Sequence, residues 1–111
     1  MPPRFLGEFE QMVLMAILRQ KEGARAVSIL RELDTRAGRS VSRGTLYKTL
    51  ERMEAKGLVE WEAEDGTPER GDRPGRRFSV TGQGISALQE SREAYRRLGE
   101  GLEGVLGEAG S

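Results

Sequence analysis

From Glu8 to Gln20 the apolar side chains Phe9, Met12, Val13, Ala16 and Ile17 return at helical spacing, and Leu14, Met15 and Leu18 extend apolarity around most of the circumference. A helix of this kind meets two surfaces rather than one. Gly23 breaks it, and Ala24 to Thr35 predicts a second helix with Ile29, Leu30 and Leu33 inward, stopped at Gly38. A third helix runs from the N-cap Ser42 to about Lys56, with Leu46, Leu50 and Met53 on its inner face and Gly57 as its stop. The period then changes from 3.6 to 2. Leu58, Glu60, Glu62 and Glu64 alternate with Val59, Trp61 and Ala63, which predicts a half-buried strand with Trp61 facing the core. Two prolines and three glycines between Asp65 and Gly75 predict a loop, and Arg76 to Val80 a second strand with Phe78 and Val80 inward. Thr81 caps a last helix in which Ile85, Leu88, Tyr95 and Leu98 keep near-heptad spacing, interrupted by Arg92. From Gly99 onward glycine is so frequent that the chain is expected to fray.

The order of these elements is that of a winged helix-turn-helix, in which the third helix enters a major groove and the hairpin tip reaches phosphates. The predicted fold class is therefore mainly α with a two-stranded β-hairpin. Residues 1–81 form the winged helix-turn-helix with its N-terminal helix, 82–98 a C-terminal dimerisation helix and 99–111 a glycine-rich tail.

Composition narrows the chemistry. The 111 residues contain neither Cys nor His, which excludes zinc fingers, thiol chemistry and Ser-His-Asp hydrolases. Gly99, Gly101 and Gly104 match a dinucleotide fingerprint literally, but no strand precedes them and no βαβ unit surrounds them. Glu60, Glu62 and Glu64 read as the solvated face of a strand, since no other ligand type converges with them, and Ser79 and Ser86 lack a general base. The chain is expected to be no enzyme and to need no cofactor and no metal. The longest apolar run, Met12 to Leu18, is too short for a signal peptide or a membrane span, so a cytoplasmic location without membrane contact is expected.

Eighteen Lys and Arg balance eighteen Asp and Glu, so the global excess of positive charge that marks many nucleic-acid binders is missing. Segment by segment the balance breaks down. From Arg36 to Gly57 six cations (Arg36, Arg39, Arg43, Lys48, Arg52 and Lys56) face two anions (Glu51 and Glu54), a net of +4. The hairpin tip from Glu69 to Arg77 adds Arg70, Arg73, Arg76 and Arg77 against Glu69 and Asp72. At 100° per residue Thr45, Lys48, Thr49, Arg52 and Lys56 fall in one arc of the third helix, apart from Leu46, Leu50 and Met53. Cations neutralise phosphates, and small hydroxyl residues approach the backbone or base edges. A basic stripe alone equally describes a solvated helix; joined to a well-capped third helix and a basic hairpin it favours DNA.

Three stretches resemble the PadR family of bacterial transcriptional regulators: Leu6 to Leu18, Val41 to Val59 and Gly71 to Gly84. The middle one is the most specific, with Ser-x-Gly-x-Leu-Tyr followed by Leu-x-x-Met-Glu-x-x-Gly-Leu. The resemblance implies a homodimer built from the first and last helices, a pseudo-palindromic double-stranded DNA operator, and a repressor released by a small apolar or phenolic effector. Position by position it puts Ser42, Thr45, Tyr47 and Lys48 at the start of the recognition helix and Arg73, Arg76 and Arg77 on the wing; Arg43, Thr49 and Arg52, from the charge pattern of the third helix, complete the candidate DNA contacts. Tyr47 is either a phosphate contact or a packing residue with a wet hydroxyl. Tyr95, the sole aromatic of the last helix, is either dimer packing or the lining of an effector site. Two positions depart from the family pattern: Arg25 and Ala26 stand where a Tyr-Gly pair is common, and Gly82 where a proline is common. Arg25 adds a cation near the turn, read either as a phosphate contact or as a solvated residue. A second functional class also fits the sequence, a winged-helix module that binds a protein partner through the same surface, with Glu60, Glu62 and Glu64 beside the wing.

Overall fold

A computed structural model describes residues 6–64 and 75–107. The elements are α1 (Glu8–Leu18), α2 (Ala26–Ala37), α3 (Arg43–Ala55), β1 (Val59–Ala63), β2 (Arg76–Val80), α4 (Gly82–Gly99) and a single-turn α5 (Glu103–Leu106). The mainly helical class with one antiparallel hairpin is as predicted.

The core follows the helical periodicities. Val13, Leu14 and Ile17 of α1, Ile29 and Leu33 of α2, Leu46, Leu50 and Met53 of α3, and Phe78 of β2 are all fully or nearly fully buried together. Each junction is closed by local chemistry. The Ser42 side chain accepts the Thr45 N–H at 3.0 Å at the start of α3. At its end the Gly57 N–H donates to the Glu54 carbonyl and the Leu58 N–H to the Met53 carbonyl, both at 2.9 Å. With Gly57 at φ 78° this is a Schellman stop, and the buried Leu58 and Met53 supply its apolar contact. Thr81 then joins two elements: its hydroxyl donates to the Gly57 carbonyl at 2.6 Å and accepts the Gly84 N–H at 3.0 Å, tying the end of α3 to the start of α4.

Four expectations need correction. Ala24, read as the opening of α2, instead exchanges two backbone hydrogen bonds with Phe78 (2.9 and 2.8 Å) and adds a one-residue third strand to the hairpin, so that α2 starts at Ala26. A single paired residue has no periodicity to betray it. Trp61 lies on the same sheet face as its partner Phe78, as predicted, yet stays 36% exposed because the hairpin extends past the core that covers Phe78. Thr49 is buried rather than on the outer arc of α3, beside the inward-facing Leu46, Leu50 and Met53 of the same helix. Beyond Gly99 the chain does not fray at once: it reverses at Gly101 (φ 85°) and closes α5 with its own backbone hydrogen bonds. No helix among the described residues is long and apolar enough to cross a membrane.

Candidate nucleic-acid interface

The first two turns of α3 carry the most accessible chemistry. Ser42, Arg43, Thr45 and Lys48 are exposed, and the neighbouring Gly44 leaves the approach to them open. The Ser42 hydroxyl lies 3.0 Å from that of Thr45, which places two hydroxyls side by side at the helix start. This helix end also carries the positive end of the macrodipole. Among the described residues neither Arg43 nor Lys48 enters an ion pair, so both remain available to an anion.

The rest of the expected arc is differently occupied. Arg52 Nε and Lys56 Nζ reach back to the same oxygen of Glu10, Oε2, at 3.4 and 3.0 Å. Glu10 is buried, and its other oxygen accepts the Gly7 N–H at 3.1 Å, closing the first turn of α1. Burial pushes this carboxyl up, but the Gly7 N–H and the Lys56 and Arg52 cations outweigh it and hold Glu10 below its ordinary range. Tyr47, on the flank of α3 away from the lysines, is half-buried and meets Phe78 edge to face at 6.4 Å. Its ring therefore packs against the core.

On the wing, adjacent strand residues point to opposite faces, so Arg76 and Arg77 separate. The Arg76 guanidinium stacks over Trp61, 4.4 Å from the ring centroid. Arg77 turns to Glu64 at 2.9 Å, and Arg25 meets the other oxygen of that carboxylate at 3.1 Å. Glu64 is thus neutralised at the loop end of the hairpin strands by two cations, and Arg25 acts as a tie between the start of α2 and the wing. Arg73 and the hairpin tip lie outside the described residues. Tyr95 is 61% exposed on α4, in line with exposed Leu98, and the apolar Leu102, Val105 and Leu106 on and around α5 are also exposed.

Sequence reasoning missed two members of this arrangement, Glu10 and Trp61. Glu10 stands three residues after an N-cap glycine, the spacing of a capping box, which is the one local signal of its structural role. Its partners lie more than forty positions away.

The model of the PadR-like family of transcriptional regulators matches residues 13–90. No curated protein matches the chain. Solved structures resemble it over most of their length. A PadR-like transcription factor from Bacteroides fragilis is 28% identical with a TM-score of 0.72, over 87% of this chain and 88% of that one. A PadR-like transcriptional regulator from Bacillus cereus is 18% identical with a TM-score of 0.70, over 90% and 92%. BpsR of Bordetella bronchiseptica, whose DNA binding is regulated by 6-hydroxynicotinic acid, is 18% identical with a TM-score of 0.67, over 98% of this chain and 74% of its own.

Proposed function

The chain belongs to the PadR-like family of transcriptional regulators, and on that premise we propose that it is a homodimeric repressor that reads a pseudo-palindromic operator with the start of α3. The observation that carries this reading is the exposed group Ser42, Arg43, Thr45 and Lys48, presented by a helix whose opposite face, Leu46, Leu50 and Met53, is locked in the core. Arg76, braced on Trp61, adds a phosphate contact from the wing. Arg77 and Arg25 serve the fold through Glu64 instead. Arg73 completes the wing by its place in the sequence.

The dimer is supported by α1, apolar on more than one side, and by the uncovered apolar side chains Tyr95 and Leu98 of α4 and Leu102 and Val105 beyond it. A flat phenolic effector would lie against Tyr95 between the subunits, a reading supported by the exposure of that ring and by the regulation of BpsR by an aromatic acid. The test is binding of the purified protein to the DNA upstream of its own gene against random duplex, over a range of salt. A preference for that region, with half-sites roughly 34 Å apart and affinity falling steeply with salt, is expected. Equal binding to both duplexes sinks the operator reading. Of the earlier alternative, a protein-binding module, the acidic trio no longer stands intact, since Glu64 is held by Arg25 and Arg77.

A further inference from the structure

We propose that Glu10 is an internal substitute for a DNA phosphate, withholding Arg52 and Lys56 from the duplex and thereby setting how many phosphates α3 engages. The inference rests on the DNA-binding reading above. Two of the cations that the sequence places on the recognition arc converge on one carboxylate oxygen, at 3.4 and 3.0 Å, the geometry in which they would meet a phosphate oxygen. Their side chains remain about half exposed (53% and 51%), so solvent and DNA can reach them, whereas the Glu10 side chain is 7% exposed and pairs with no other cation among the described residues.

The carboxylate is also fixed in place. Next to it the Gln11 amide donates to the Leu6 carbonyl at 3.0 Å, and the Leu6 N–H donates to the Ser91 hydroxyl of α4 at 3.1 Å. Glu10, Gln11, Thr49 and Ser91 are the buried polar side chains among the described residues, and three of the four belong to this one band from α4 through the start of α1 to α3. A phosphate that recruited Arg52 and Lys56 would leave a buried carboxylate without its counter-charges, so the internal pair persists when DNA is bound. Arg43 and Lys48 have no such competitor among the described residues.

The experiment measures affinity for a mixed-sequence duplex of about 30 base pairs as a function of salt, for the intact protein and for Glu10→Gln. Glutamine keeps an oxygen for the Gly7 N–H and loses the charge. Each phosphate neutralised contributes about 0.9 to the slope of log affinity against log salt. Glu10→Gln is therefore expected to steepen the slope by up to about 1.8, so that its affinity relative to the intact protein rises about tenfold between 200 and 50 mM salt. The double variant Arg52→Gln, Lys56→Gln keeps amide donors for Glu10 and is expected to show the intact protein's slope. In that background Glu10→Gln should have no further effect on the slope. An unchanged slope in Glu10→Gln overturns the proposal, and so does a double variant whose slope is shallower by about 1.8, since its two cations would then be DNA contacts already. A merely structural Glu10 would change affinity without changing the slope. Failure of the intact protein to bind any duplex overturns the DNA-binding reading and this one together; binding without the Glu10 effect overturns this one alone.

Discussion

Burial pushes the Glu10 carboxyl up, yet its pKa falls below the ordinary 4.5 because the Gly7 N–H, Lys56 and Arg52 favour the charged form. A carboxylate whose folded pKa is depressed contributes stability that is present above the unfolded value and is lost as pH falls through the folded one. The urea midpoint should accordingly decline on acidification below about pH 4.5, and Glu10→Gln should lack that component of the decline. Glu93 behaves differently. Its carboxyl is lowered to about 2 by hydrogen bonds from Arg96 and then Arg97, but the side chain stays open to solvent, so the shift is a local ion-pair effect on the surface of α4. At Gly84 the constraint is space: a Cβ there would run into the Leu58 carbonyl and the Val80 side chain. Gly84→Ala should cost about 1–3 kcal/mol in urea or thermal unfolding, by forcing α4 off the end of α3. Neither residue advertises this in the sequence. Gly84 reads as one more helix-weakening glycine, and Glu10 as one of several acids in a first turn, because the groups that define each arrive from distant parts of the chain.

The amphipathic period of α3 does reveal which residues bury, and Ser42 and Gly57 mark its ends with recognisable cap chemistry. The period does not reveal where the outer arc is interrupted. Thr49 falls 40° from Met53 on a helical wheel, at the edge of the buried face, and the period alone does not decide on which side of that edge it lies. Thr49 should consequently separate from Lys48 in experiment. Lys48→Ala is expected to weaken binding to any duplex and to reduce the salt slope by about 1, with little change in stability. Thr49→Ala should lower stability and leave the slope unaltered, as read from parallel unfolding and binding titrations. The hairpin repeats the lesson. Alternation correctly assigns Val59, Trp61 and Phe78 to one face of the sheet, but alternation has no knowledge of how far the core extends beneath that face, and Trp61 lies beyond it.

At the scale of the molecule, zero net charge conceals a division of labour among cations. Arg43, Lys48 and Arg76 face outward or stack on an aromatic ring, whereas Arg25, Arg52, Lys56 and Arg77 are tied to Glu64 and Glu10, where they join α2 to the wing and α3 to α1. Counting charge by segment marks the candidate binding region without distinguishing the two groups, because ion pairs across the fold are invisible along the chain. The uncovered apolar line of α4 makes a separate demand. Leu98, 77% exposed, lies on the proposed subunit seam, so Leu98→Glu should shift sedimentation from dimer to monomer and weaken operator binding, with the monomer's own unfolding little changed. Trp61 offers a way to watch the assembled protein. It is the only tryptophan in the chain, and it sits half-open on the wing with a guanidinium on its face, so the chain's tryptophan emission comes from this one place. Were Arg76 to move to a phosphate as proposed, that emission is expected to change in colour and intensity, so that a titration with duplex would report docking without a dye.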